Sequence, residues 1–192
     1  MSAGKPIATL REATGIPTGK LAVWWLLASE IVIFGGVLAS YLMFRVRHPE
    51  FGEFAAHTDP RIGALNTWVL LTSSLCAVLA HNAAEMGDGK KAAKLLWMTV
   101  GLGGCFLMIK SYEWSVEIGH GYTITANAFW SFYYTAAGIH ASHVIAGMCV
   151  MAWVATYAAR NAELQRVELV GIYWHFVDLV WIFLFPLLYI AK

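Results

Sequence analysis

Apolar residues run through this chain in long blocks rather than in alternation. Five blocks reach the roughly 20 residues that a helix needs to cross a hydrocarbon core about 30 Å thick. They cover about 20–44, 63–85, 92–113, 127–157 and 169–191. Helix is the form they predict, because lipid offers the backbone no hydrogen-bond partner and the two-residue alternation of a membrane strand is absent. The connections "RVRHPEFGEFAAHTDPR", "MGDGKK", "EIGHGYTIT" and "RNAELQRVE" are short, polar and turn-rich, so no extramembrane domain fits in them. The pattern predicts an all-α, polytopic membrane protein: an N-terminal tail over 1–19, then a bundle of five transmembrane helices over 20–192.

Composition agrees with this solvent. The 192 residues are 59% hydrophobic and 13% charged, with a mean hydropathy of +0.60, outside the range of a soluble domain. A formal net charge of +1 offers no broad basic surface, so nucleic acid is not an expected partner. Cys76, Cys105 and Cys149 each lie in an apolar segment, odd in number and without CxxC spacing, and read as small core residues. Several of the nine Trp and eight Tyr fall near segment ends, as interfacial belts require. The tail has no apolar block of its own, so the first span is expected to drive insertion.

Five crossings put the termini on opposite faces, and Lys and Arg then set the orientation. Eight fall on the face of the tail; the other face has five, counting Lys110 and Lys192. The bias puts the N-terminus in the cytoplasm.

Ionisable residues inside spans stand out against this background, because an unpaired charge near the bilayer centre costs at least about 2.5–3.5 kcal/mol. They are Glu30, His140, His143, His175 and Asp178. At about 1.5 Å per residue, Glu30 and Asp178 reach similar depths near the midplane, with His175 about one turn shallower. A polar layer joining the first, fourth and fifth segments is therefore expected. His140 and His143 share a helix face, as do His175 and Asp178, which can bond each other or a neighbouring helix. One reading makes these groups satisfied polar contacts that pin helix to helix. The other makes Glu30 and the histidines stations of a proton route, since such routes are built from intramembrane carboxylates and imidazoles.

Metal ligation finds little support. A di-iron bundle needs two Glu-x-x-His repeats with further carboxylates, and the one such repeat here, Glu117 to His120, falls in a predicted connection. Gly35, Gly36, the run Gly101–Gly104, Gly138 and Gly147 are expected to permit close helix packing. Pro186 is expected to bend the last helix by freeing the carbonyl of Ile182. No phosphate-binding loop, nucleophile elbow or HExxH site is present.

The stretches "ASEIVIFGG", "NTWVLLTSS", "CFLMIKSYEW", "AGIHASHVIAG" and "YWHFVDLVWIFLF", in this order over nearly the whole chain, resemble subunit III of the haem-copper oxidases, and bacterial cytochrome c oxidase subunit III in particular. Larger members have seven helices, the first two set apart by a lipid-filled cleft; this chain looks like the five-helix form, which lacks the leading pair. A bound phospholipid is still compatible with it. Glu30 matches the family's buried carboxylate, His140, His143, His175 and Asp178 match its buried polar network, and Glu113 matches a carboxylate near the end of the corresponding helix. Trp114 stands where a tyrosine usually follows, and Ala141 where glycine usually separates the paired histidines.

The resemblance implies no haem, copper or catalytic centre in this chain, with haem and copper held by partner subunits. It implies contact mainly with subunit I, subunit II in the same complex, surrounding membrane lipids, and a place in a respiratory supercomplex. The expected role is an accessory, non-redox subunit of a proton-pumping terminal oxidase in a bacterial inner membrane, stabilising subunit I and assisting proton uptake. The complex as a whole reduces dioxygen to water. Two alternatives stand beside it: subunit III of a ubiquinol oxidase or nitric-oxide-reductase-associated relative, and a free-standing membrane haem or metal protein.

Overall fold

The computed structural model describes residues 18–190. The expected tail lies, up to residue 17, outside these described residues, as does Lys192. The helices are α1 (Thr18–Arg47), α2 (Phe51–Ala55), α3 (Pro60–Glu85), α4 (Gly89–Gly119), α5 (Ala128–Ala158) and α6 (Gln165–Phe185), closed by a π turn over Pro186–Ile190. The protein is all-α among the described residues. Five helices, α1, α3, α4, α5 and the run Gln165–Ile190, are long and apolar enough to cross a membrane.

Local chemistry explains where the helices begin. Asp59 caps α3 by accepting from Arg61 N at 2.8 Å, with Pro60 at the first helical position. Asp88 accepts from Lys91 N at 3.0 Å for α4, and Asn127 from Trp130 N at 3.0 Å for α5. Between α3 and α4 the chain turns through Gly87 at φ +77°, a region that disfavours any side chain. The next glycine, Gly89, abuts the carbonyl of Ala158 and donates its N–H to Asn161 Oδ1 at 2.8 Å, which ties the α3–α4 turn to the end of α5.

Helices α3 to α6 alternate in direction, and α1 runs parallel to α6. Lys20 pairs with Glu168 at 2.5 Å near the start of both, while at the other end Tyr41 Oη donates to Leu187 O at 2.9 Å. Helix α1 is docked chiefly on α5 and α6 and turns much of its surface outward, Trp24, Trp25 and Val32 included. The first connection holds more structure than its polar sequence suggested: in α2, Phe51 and Ala55 are buried and Phe51 packs on Tyr41, Phe129 and Phe132.

Several expectations change. Of the glycines expected to pack closely, Gly35, Gly36, Gly101 and Gly138 face open space, whereas at Gly103 and Gly147 an added Cβ meets the Trp174 ring at 2.9 Å and 3.0 Å. Trp174, Trp130 and Trp181 are fully buried, so these three are core residues rather than belt residues. Cys76 is buried but Cys149 is exposed. Pro186, expected to bend the last helix, instead ends its regular α-helical part and opens the π turn.

Candidate functional site

By their contacts the titratable residues fall into three groups. The first joins α1 to α5. His143 Nδ1 lies 2.8 Å from the carbonyl of Ile139, which fixes the proton on that nitrogen and turns Nε2 towards α1. There Nε2 approaches Glu30 Oε2 to 2.8 Å. The contact is close but lies off the line of a well-aligned hydrogen bond. Phe34 packs edge-on to the imidazole at 5.2 Å. The pair lines a cavity of about 600 Å³ between α1, α5 and α6, whose other walls include Leu26, Val150, Trp153 and Tyr173, with Arg166 also on its lining. Arg166 stacks on Trp153 at 4.9 Å and pairs with Glu163 at 3.4 Å.

The second group is the seam between α3 and α6. His175 Nδ1 and Ser74 Oγ are 2.6 Å apart, Trp174 Nε1 donates to Ser73 Oγ at 3.0 Å, and Trp181 Nε1 donates to Thr67 Oγ1 at 3.0 Å. The partner of His175 is thus on the neighbouring helix, and not Asp178. Asp178 is buried beside Ser74, and neither of its carboxyl oxygens makes a well-formed hydrogen bond among the described residues. His140 is fully buried between the rings of Phe106 and Trp181, at 5.5 Å and 5.3 Å, and neither of its nitrogens has a hydrogen-bond partner among the described residues.

Sequence reasoning largely missed the third group. Lys110, assigned above to a membrane face, is 2% exposed inside the bundle. Its removal from the charge count leaves four cations on that face against eight. Glu117, assigned to a connection outside the membrane, is in the last turn of α4 and 5% exposed. Lys110 Nζ donates to Glu113 Oε2 at 3.0 Å, to Tyr133 Oη at 2.8 Å and to Tyr189 Oη. The rings of Tyr133, Tyr189, Trp181 and Trp114 enclose the ammonium at 4.5–5.7 Å. Tyr133 Oη also lies 3.1 Å from Glu113 Oε1 and 3.0 Å from Glu117 Oε1. One signal was available: residues 110, 113 and 117 are spaced by three and four, which puts all three on one helical face. Among the described residues, no three His, Cys, Asp or Glu side chains are placed to hold a metal ion.

A sequence profile for cytochrome c oxidase subunit III matches residues 15–192. The chain belongs to the cytochrome c oxidase subunit III family. Subunit 3 of the cytochrome c oxidase of Bacillus sp. (strain PS3) is 33% identical over 96% of this chain and 92% of its own length. A probable quinol oxidase subunit 3 of Staphylococcus saprophyticus is 28% identical over 88% of this chain and 87% of its own. In the haem-copper oxidase subunit I+III of Aeropyrum pernix, the likeness is 30% over 88% of this chain but only 22% of that larger protein. Subunit III family membership makes this a multi-pass membrane component of a haem-copper oxidase rather than a free-standing haem or metal protein.

Proposed function

We propose that the chain is the accessory, non-redox subunit III of a proton-pumping cytochrome c oxidase in a bacterial inner membrane, N-terminus in the cytoplasm, bound chiefly to subunit I with subunit II in the same complex. The profile match across all five spans carries this reading. The fused subunit I+III chain supports subunit I as the partner, because covalent fusion suits two chains that must meet in one complex. Haem and copper belong to the partner subunits, and in this reading no residue here is catalytic. The quinol oxidase relative favours a second reading, in which the same subunit serves an enzyme fed by quinol. Optical spectra of the native complex separate the pair: reduction by cytochrome c but not by quinol supports the first, and the reverse supports the second.

Within the complex, Glu30 and His143 are the proton-related pair, with Asp178, His175 and His140 as buried polar contacts of the bundle. The cavity beside Glu30, with apolar walls and the Arg166 cation on its lining, suits a phospholipid that seats an acyl chain between α1 and α5. Glu30→Gln keeps the shape and removes the ionisable proton. It is expected to slow turnover at alkaline pH and to hasten inactivation during turnover, with the complex still assembled. Unchanged values of both quantities leave Glu30 a packing role alone.

His175→Phe tests the seam. It deletes the 2.6 Å contact and orphans Ser74, an expected loss of about 1 kcal/mol. Thermal unfolding of the detergent-solubilised complex and the yield of subunit III copurifying with subunit I are the measurements. No change in either removes the seam from the list of stabilising contacts.

A further inference from the structure

Donors and acceptors in the Lys110 cluster can be counted against its geometry. The ammonium has three protons, and its three contacts, Glu113, Tyr133 and Tyr189, use all of them. None is left for Glu117. The Tyr133 hydroxyl accepts from Lys110 and has a single proton of its own, yet it is within 3.1 Å of both Glu113 Oε1 and Glu117 Oε1. That proton serves one carboxylate at a time. The other neighbouring hydroxyl, on Tyr134, donates to the carbonyl of Tyr122 at 2.7 Å and is 3.5 Å from Glu117 Oε2. Charge leads to the same deficit: one buried ammonium balances one carboxylate, and a second carboxylate in the same dry site has no cation.

We propose that Glu113, Tyr133 and Glu117 form a proton-binding site that holds one proton between the two carboxyls, with Tyr133 as the bridge and Lys110 as the fixed counter-charge. With the proton on Glu117, its carboxyl donates to Tyr133 Oη, and Tyr133 donates to Glu113. Moving the proton to Glu113 reverses the direction: Glu113 donates to Tyr133, and Tyr133 donates to Glu117. Each state gives both carboxyls a hydrogen bond with Tyr133, whose Oη also lies 3.2 Å from Tyr189 Oη, and one passes to the other by proton shifts along two hydrogen bonds. The groups facing the site are Lys110 from α4, Tyr133, Tyr134 and His140 from α5, and Tyr189 from the π turn, with His140 within electrostatic range of Lys110. Glu117 is the member nearest the end of α4, so exchange with water runs past Tyr134 and the 120–124 turn. The inference concerns this cluster alone and stands or falls apart from any role of Glu30 or the choice of electron donor.

Infrared spectroscopy of the purified complex tests it, because a neutral carboxylic acid has a C=O stretch that shifts in heavy water and an ionised carboxylate does not. Difference spectra between the wild type and each variant cancel the other acids. Glu117→Gln and Glu113→Gln are each expected to remove the same single-carboxyl intensity, since either change leaves one carboxylate for Lys110. Lys110→Gln is expected to raise that intensity about twofold, with both acids then neutral. Loss in Glu117→Gln with retention in Glu113→Gln overturns sharing, and no loss in either overturns the site. Tyr133→Phe removes no carboxyl and serves if the glutamine variants fail to assemble: the band keeps its intensity and shifts in frequency, and an unmoved band overturns the bridge.

Discussion

Lys110→Met lowers the stability of the subunit by about 3–5 kcal/mol, the usual cost of removing one partner from a buried ion pair. The cost arises from what remains. Glu113 loses its cation, Tyr133 and Tyr189 lose a donor, and the aromatic box of Tyr133, Tyr189, Trp181 and Trp114 encloses an uncharged thioether. The control is the double variant Lys110→Met with Glu113→Gln, which has one fewer unpaired carboxyl and is expected to recover most of the loss. Thermal unfolding of the detergent-solubilised complex, followed by circular dichroism and by retention of the subunit on the complex, is the measurement. A single variant as stable as the double one means that the pair contributes little.

Trp174→Ala is the second large effect, again about 3–5 kcal/mol. Trp174 is fully buried, and its ring fills the space above two glycines, Gly103 on α4 and Gly147 on α5. Removing the indole opens a void bordered by three helices and deprives Ser73 of its donor at 3.0 Å. Packing contacts weigh more inside a membrane than in water, because lipid tails already solvate apolar side chains and hydrophobic transfer drives helix association only weakly. Trp174→Phe separates the two causes. It keeps most of the contact area and loses only the hydrogen bond, so it is expected to cost about 1–3 kcal/mol. Equal losses for alanine and phenylalanine place the effect in the hydrogen bond rather than the cavity.

The level at which Glu30 and His143 lie follows from their positions along their own helices. Glu30 sits twelve residues into α1 and His143 fifteen residues into α5, and midway positions in antiparallel spans bring them to one level, where they meet at 2.8 Å. His175 and Asp178 both lie beside Ser74, and which of them finds a partner depends on that residue, whose position is set by the register of α3 against α6. Lys110 and Glu117 were misplaced for a related reason. A lysine near the end of an apolar block normally reaches for the interface, and a glutamate before His-Gly normally marks a loop. Here α4 continues to Gly119 because Glu117 is buried against Tyr133 from α5, and Lys110 meets Tyr189 from beyond Pro186.

The linear order of residues alone determined that there are five apolar helices, their approximate limits, their alternating direction and the family to which they belong, because hydropathy and motif order are properties of consecutive residues. Only the tertiary structure decided that the buried charges divide into three groups, that Trp174 rests on Gly103 and Gly147, and that Lys110 pairs with Glu113 among four aromatic rings. Those outcomes depend on the rotation of each helix about its axis. A helix with apolar residues on every side carries no stripe to specify that rotation, so the interlocking of large and small side chains between neighbouring helices sets it.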